Sequence, residues 1–178
     1  MGDLSATSRP VITMQDELRS VMRNFVTGVC VVSTFTETPS GRVHNALTVN
    51  SLTSLSLTPP LISLSIRRES TFLDELMEAG VWAVSVLDDG GEDLARVFAR
   101  PEDERRRSLR SLPGEPGAST GAVVLDGAAW LECRYHQHVV TGDHVLVIGE
   151  VVGLGADSTR SPLLFLHGGF HRFEREQV

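Results

Sequence analysis

The sequence predicts a mainly β fold, a closed antiparallel barrel carrying two or three flanking α-helices. Three observations point there. Short β-branched runs recur from residue 28 to the C-terminal end, separated by clusters of Gly, Pro, Asn and Asp. Helical periodicity is confined to three brief windows. The strand–helix–strand alternation of a parallel sheet is missing, and closing an antiparallel sheet on itself is the way such a chain removes its exposed edges.

The elements follow in order. Residues 1–12 are polar and rich in Ser and Thr, and read as a flexible N-terminal tail before a single domain over 13–178. Thr13 with Asp16 three residues on forms a capping pattern, and Leu18, Val21, Met22 and Phe25 share one helical face, so a helix is expected over 14–25. GVCVVSTFT at 28–36 reads as a strand, ETPSGR at 37–42 as a turn, and 43–51 as the returning strand of a hairpin. From Leu52 to Ile66 apolar residues alternate with Ser54, Ser56, Ser63 and Ser65, which predicts one dry and one polar strand face. Pro59-Pro60 belongs at a strand start or edge, because proline lacks the ladder donor. Ser70 is a natural N-cap for a helix through Ala79 that Gly80 stops. VWAVSVL at 81–87 is a strand, and 92–99 a short helix with Leu94, Val97 and Phe98 inward. The stretch 100–120 is charged, then rich in Gly, Pro and Ser, and reads as a solvated, flexible excursion over a site. From Ala122 the pattern is nearly all strand, with turns at 141–143 and at Gly168-Gly169.

Composition narrows the chemistry. A chain of 178 residues is long enough for one domain with a real core, since roughly two-thirds of the unfolded surface is hidden at about this size. A formal charge of −7 argues against a nucleic-acid protein. All 16 Lys and Arg residues are arginine, which removes P-loop enzymes and Schiff-base lysine chemistry. Cys30 and Cys133 are isolated and apolar-flanked, so neither a zinc knuckle nor a disulfide framework is indicated. No apolar run approaches a membrane span and the N-terminus lacks an apolar signal core, so a cytoplasmic location is expected.

No GxGxxG, GxSxG or HExxH occurs, and GLGADS at 153–158 fails the dinucleotide pattern. His136 and His138 share a strand face, but no carboxylate or Cys at ligand spacing completes a set, so no metal is expected. Ser51, Arg67, Ser70 and Thr71 have two readings. A helix N-terminus with a nearby arginine seats an anion, or else Ser70 is an ordinary cap and Arg67-Arg68 ordinary surface charge. Asn45, Thr48 and Asn50 likewise either line the edge of a planar heterocycle or are hairpin polarity.

The ordered run TVNSLTSLSLTPPL at 48–61 resembles the Thr-x-x-Ser…Ser-x-Ser-Leu-Asp-Pro-Pro-Leu signature of the flavin reductase-like, split-barrel family. FVTGV at 25–29, GVWAVSVL at 80–87, Phe98-Ala99, Gly142-Asp143-His144, GEV at 149–151 and PLLF at 162–165 with Gly169-Phe170 support it in order over nearly the whole chain. The resemblance implies a split β-barrel of Greek-key type and a homodimeric oxidoreductase that uses NADH or NADPH to reduce FAD or FMN and feeds a separate flavin-dependent monooxygenase. It implies that His44, Asn45, Ala46, Leu47, Thr48, Asn50 and Ser51 line the flavin ring and ribityl chain. Ser65, Ile66, Arg67, Ser70 and Thr71 would seat the phosphate, and Phe98 would pack nearby. His144, with the turn of His167, Gly168, Gly169 and Phe170, would face the nicotinamide. Hydride transfer depends chiefly on positioning, so the lack of a triad or dyad fits. The same barrel in a flavin-storage or sensor role, without turnover, is the alternative. This chain departs from the family pattern at Ala46, often Gly, at Thr58, often Asp, and at Ser85, often Asn.

Overall fold

A computed structural model describes residues 12–112 and 114–173. The expected tail therefore lies outside the described residues, apart from Ile12. Helix α1 (Met14–Met22) begins at Thr13 with the predicted capping box: the Asp16 amide donates to Thr13 Oγ1 at 3.2 Å, and the Thr13 amide to Asp16 Oδ2 at 3.2 Å. None of its residues is buried. After β1 (Thr27–Gly28) the predicted hairpin forms from β2 (Cys30–Thr38) and β3 (Gly41–Val49). Its turn uses Gly41 at φ 110, which L side chains rarely adopt.

Strands β4 (Thr53–Leu57) and β5 (Pro60–Arg67) flank the Thr58-Pro59 turn, with Pro60 at a strand start as its missing donor requires. Helix α2 (Thr71–Ala79) has Ser70 as N-cap and Gly80, φ 63, as its left-handed stop. The chain continues through β6 (Val81–Val86), α3 (Glu92–Phe98), α4 (Glu102–Ser111), β7 (Gly114–Pro116) and β8 (Val123–Leu125). It ends with the long hairpin of β9 (Ala129–Thr141) and β10 (His144–Ala156), then β11 (Leu163–Leu166) and β12 (Gly169–Arg172).

Seven strands form one antiparallel sheet in the order β3-β2-β6-β9-β10-β5-β4. Period-two alternation splits the core. Val32 joins Leu64, Trp82, Val147 and the inner face of α2 (Phe72, Leu76) on one side, while its neighbour Val31 joins Ala46, Ala95, Phe98 and Leu163 on the other. Burying a side chain such as Phe72 or Leu76, both fully covered, contributes about 1.5–3 kcal/mol. Strands far apart in the order, β2 and β5, supply one apolar cluster, so the sheet curls around it. No helix among the described residues is long and apolar enough to cross a membrane.

Two expectations are corrected. The sheet is not a closed barrel: β3 and β4 are its two edges, and among the described residues no ladder joins them. Ser51, in the connection from β3 to β4, bonds the main chain of Ser65 in β5 and continues the line of the Thr53–Ser63 pairing of β4 with β5. The stretch 100–120 is not a flexible excursion, because its first half is α4, the fourth helix among the described residues. Its buried face is Arg105 with Leu109, four apart, a pairing that apolar periodicity does not register. Acids in its first turn suit the helix dipole, and Glu102–Arg106 and Arg100–Glu104 bridge successive turns. The triplet Arg105-Arg106-Arg107 is accordingly no solvated run: Arg105 is 7% exposed.

Candidate functional site

The end of β3 and its exit face the end of β5 across a cleft of about 330 Å³. Leu47, Thr48, Val49, Asn50 and Ser51 line one wall, and Ser65, Ile66, Arg67, Ser70 and His144 the other. The local folding reasons are specific. Ser51 Oγ donates to Ser65 O and accepts from the Ser65 amide, both at 3.0 Å, and sets the spacing of the walls. Thr48 Oγ1 donates to Ala95 O at 2.8 Å and ties β3 to α3. His144 opens β10 directly opposite Arg67, and the Arg68 amide donates to Asp143 O at 2.9 Å.

The polar groups of this cleft suit an anion. Ser70 caps α2 with extended backbone, φ −82 and ψ 122, yet its hydroxyl makes no cap hydrogen bond. That hydroxyl, the free amides of the first α2 turn and the Arg67 guanidinium leave donors and positive potential unspent at one end. His144 Nδ1–H donates to Asp143 Oδ1 at 2.9 Å, because an ionised carboxylate can only accept. This bond, with the charge of the imidazole, holds the Asp143 carboxyl below the usual carboxylate range.

Asn50 also borders a second cleft, of about 560 Å³, walled by Asp16, Arg19, Met22 and Arg23 of α1 and its end, by Phe25 and Thr27, and by Phe165, Leu166, His167 and Gly168. The two-residue turn between β11 and β12 places His167 at φ 55 and Gly168 at φ 82, and the His167 amide donates to Arg23 O at 2.9 Å. A third, basic cleft of about 650 Å³ holds Arg19, Arg67, Arg68, Glu69, Gly142 and Asp143. Shared residues Asn50, Arg67 and Arg19 make the three contiguous.

Not every residue singled out in the sequence reaches these clefts. Asn45 is buried, its Nδ2 donating to Glu75 Oε2 at 2.9 Å and its Oδ1 accepting from the Ala46 amide at 2.9 Å. The Ala46 methyl lies in the second core with Phe98, itself fully buried, so the extra carbon does not narrow the cleft. Ser85, the other departure, is buried and accepts from the Leu125 amide at 2.9 Å. His44 sits apart, edge-on to Phe35 at 5.6 Å, in a small groove with Arg42, Leu109 and Arg110. Thr71 Oγ1 is engaged by Glu102 Oε2 at 2.5 Å. Gly169 starts β12, and Phe170 packs on Phe165 with centroids 5.5 Å apart. His144 shares the cleft of Arg67 and Ser70, and does not line that of His167 and Gly168. Val49, Arg19, Arg23, Phe25 and Thr27 were not anticipated; the two arginines flanking an apolar helical stripe were the available signal.

Comparison with known proteins bears on what these clefts serve. The family profile described as "Flavin reductase like domain" matches residues 22–174. The chain belongs to the flavin reductase-like family. Among curated relatives of this flavin reductase-like chain, a "Flavin reductase (NADH)" of Kitasatospora aureofaciens is 37% identical over 171 residues, covering 94% of this chain and 86% of the relative. Among solved structures, the Streptomyces globisporus C-1027 NADH:FAD oxidoreductase SgcE6 in complex with NAD and FAD fragments superposes with a TM-score of 0.84 at 31% identity, covering 96% of this chain and 100% of the other. BorF, the flavin reductase component of a bacterial two-component tryptophan halogenase, gives 0.81 at 30%, covering 91% and 99%. The family match starts at Met22, the last residue of α1, so nearly all of that helix precedes it, whereas both walls of the first cleft lie inside.

Proposed function

We propose that this chain is an NADH-dependent flavin reductase, transferring hydride from NADH to FAD or FMN and supplying reduced flavin to a separate monooxygenase component. The observation that carries the reading is the pair of clefts joined at Asn50, one ending in an unspent anion seat. The volumes lie in the range of small-molecule and cofactor sites, roughly 300–1,000 Å³. The residues fit the group. Ser70 Oγ, Arg67 and the α2 amides would hold a phosphate, while Leu47, Thr48, Asn50 and Ser51 would border the ring and ribityl chain. Among the described residues no strand pairs with the outer side of β3, so main-chain amides along its end are available to offset negative charge that develops on a bound ring, in the manner of an oxyanion hole.

Bound flavin would supply the hydride acceptor. Everything else the chain does is positioning and shielding, which is where most of the rate in such a transfer arises. Arg19, Arg23 and the His167–Gly168 turn would receive the NADH side, and Thr27 Oγ1, buried without a partner among the described residues, is an unspent polar group in that wall. His144, with its Nδ1 committed to Asp143, leaves Nε2 to orient the nicotinamide from the rim of the flavin cleft. Open clefts suit a product that must leave for another enzyme, and the description of BorF as one half of a two-component system supports that role. The exposed apolar stripe of α1 and the residues just past it, with Leu18 60%, Val21 66% and Phe25 65% exposed, supports a homodimer. The test is NADH oxidation with and without added FAD or FMN: turnover that requires flavin supports the reading, and flavin binding without turnover supports a carrier instead.

A further inference from the structure

Helix α4 lines neither of the two clefts assigned to flavin and NADH, yet its first residue holds the residue next to the anion seat. Ser70 leaves its own cap bond unmade, so the first turn of α2 is not fixed in the usual way. Thr71, the first residue of that turn, is instead anchored to Glu102. Glu102 Oε1 in turn accepts from Arg106 Nε at 2.7 Å, and a second Arg106 nitrogen pairs with Glu75 on α2. Glu75 carries the chain on to Asn45 and, through it, to the Ala46 amide of β3. The Arg106 and Glu75 side chains are only 20% and 14% exposed. One connected set of polar groups thus links the anion-seat helix to the strand that walls the cleft.

We propose that Glu102 is a positioning residue for the anion-binding end of the cleft, acting through Thr71, with Arg106 and Glu75 registering that end against β3. The proposal rests on the reading of this cleft as a flavin site. It has a distinctive sign. A carboxylate near a phosphate seat that acted only through its charge would repel the ligand, so its removal would tighten binding. A carboxylate that holds Thr71 in place does the opposite, because side chains that support a site fix its geometry through such bonds. The Glu102 carboxyl is held below its ordinary range first by the Thr71 hydrogen bond and then by that of Arg106, in keeping with an ionised, fully engaged group.

The experiment titrates FMN and riboflavin, which lacks the phosphate, into wild type, Glu102→Ala and Glu102→Gln. Glu102→Ala is expected to weaken FMN about tenfold, on the scale of one lost charge-assisted hydrogen bond, and riboflavin less than about threefold. Glu102→Gln keeps an acceptor for Thr71 and stays within about threefold of wild type for both. Thr71→Val, which removes only the donor, reproduces the selective loss and decides the matter if Glu102→Ala does not fold. FMN affinity in Glu102→Ala equal to or tighter than wild type overturns the proposal, as does an equal loss for riboflavin. A wild-type chain that binds neither FMN nor riboflavin overturns this proposal, and one that also fails to bind FAD overturns the flavin reading with it.

Discussion

Ser51 and Ser65 are joined twice through one hydroxyl: Ser51 Oγ accepts the Ser65 amide and donates to the Ser65 carbonyl, each at 3.0 Å. The contact continues the line of the β4–β5 ladder past Thr53–Ser63, and it fixes the separation of the two cleft walls. Ser51→Ala strands a part-buried amide and carbonyl, and is expected to cost about 1–3 kcal/mol of stability together with a several-fold loss of flavin affinity. Urea unfolding and flavin titration check this; unchanged values in both would show that the cleft walls are held otherwise.

His44 should make stability depend on pH. Burial first, and the Arg42 charge second, lower its pKa from the ordinary 6.5, with Glu37 opposing. The folded chain therefore binds this proton less readily than the unfolded one. Its contribution is present in full above about 6.5 and is lost as the pH falls from there through the lowered folded value. Unfolding midpoints of wild type should drop across that window, and His44→Phe, which keeps the ring beside Phe35 but cannot titrate, should drop less. Parallel curves would contradict the assignment.

His144→Ala is expected to raise the KM for NADH more than the KM for flavin, with the protein still folded. The reverse ordering would move His144 to flavin binding, consistent with its place opposite Arg67, and unchanged NADH kinetics would remove it from the hydride-donor side.

The chain is expected to run as a dimer in light scattering, with α1 at the contact. Leu18→Glu together with Val21→Glu should yield monomers, since a charged stripe cannot be buried unpaired. A wild-type monomer would contradict the dimer reading.

Much of the fold was legible from local chemistry. The Thr13–Asp16 box, the Pro60 strand start, the Gly80 stop and the β2–β3 hairpin each rest on a residue whose backbone preference speaks for itself. Closure was not legible, because whether β3 meets β4 depends on how far the sheet curls, and no residue type encodes that. Helix α4 was hidden for a different reason: half its buried face is Arg105, guanidinium included, a residue type that reads as solvent-exposed. At the site, residues on the cleft walls such as Thr48, Ser51, Arg67 and Ser70 follow from pattern and family resemblance. Asn45 and Phe98 are fully buried, and His44 lies in a separate groove beside Leu109 and Arg110, placements that tertiary packing sets. The α1 arginines belong to a wall assembled from both ends of the chain, which only tertiary structure brings together.

The most direct test of the central claim is anaerobic. Protein, FAD or FMN, and NADH are mixed without oxygen and the flavin absorbance is followed, with Arg67→Ala alongside. The account predicts rapid bleaching that requires the protein, saturates with both NADH and flavin, and shifts to about tenfold higher flavin concentration in Arg67→Ala, as for a lost charge-assisted contact. Bleaching no faster than in a protein-free mixture would contradict it.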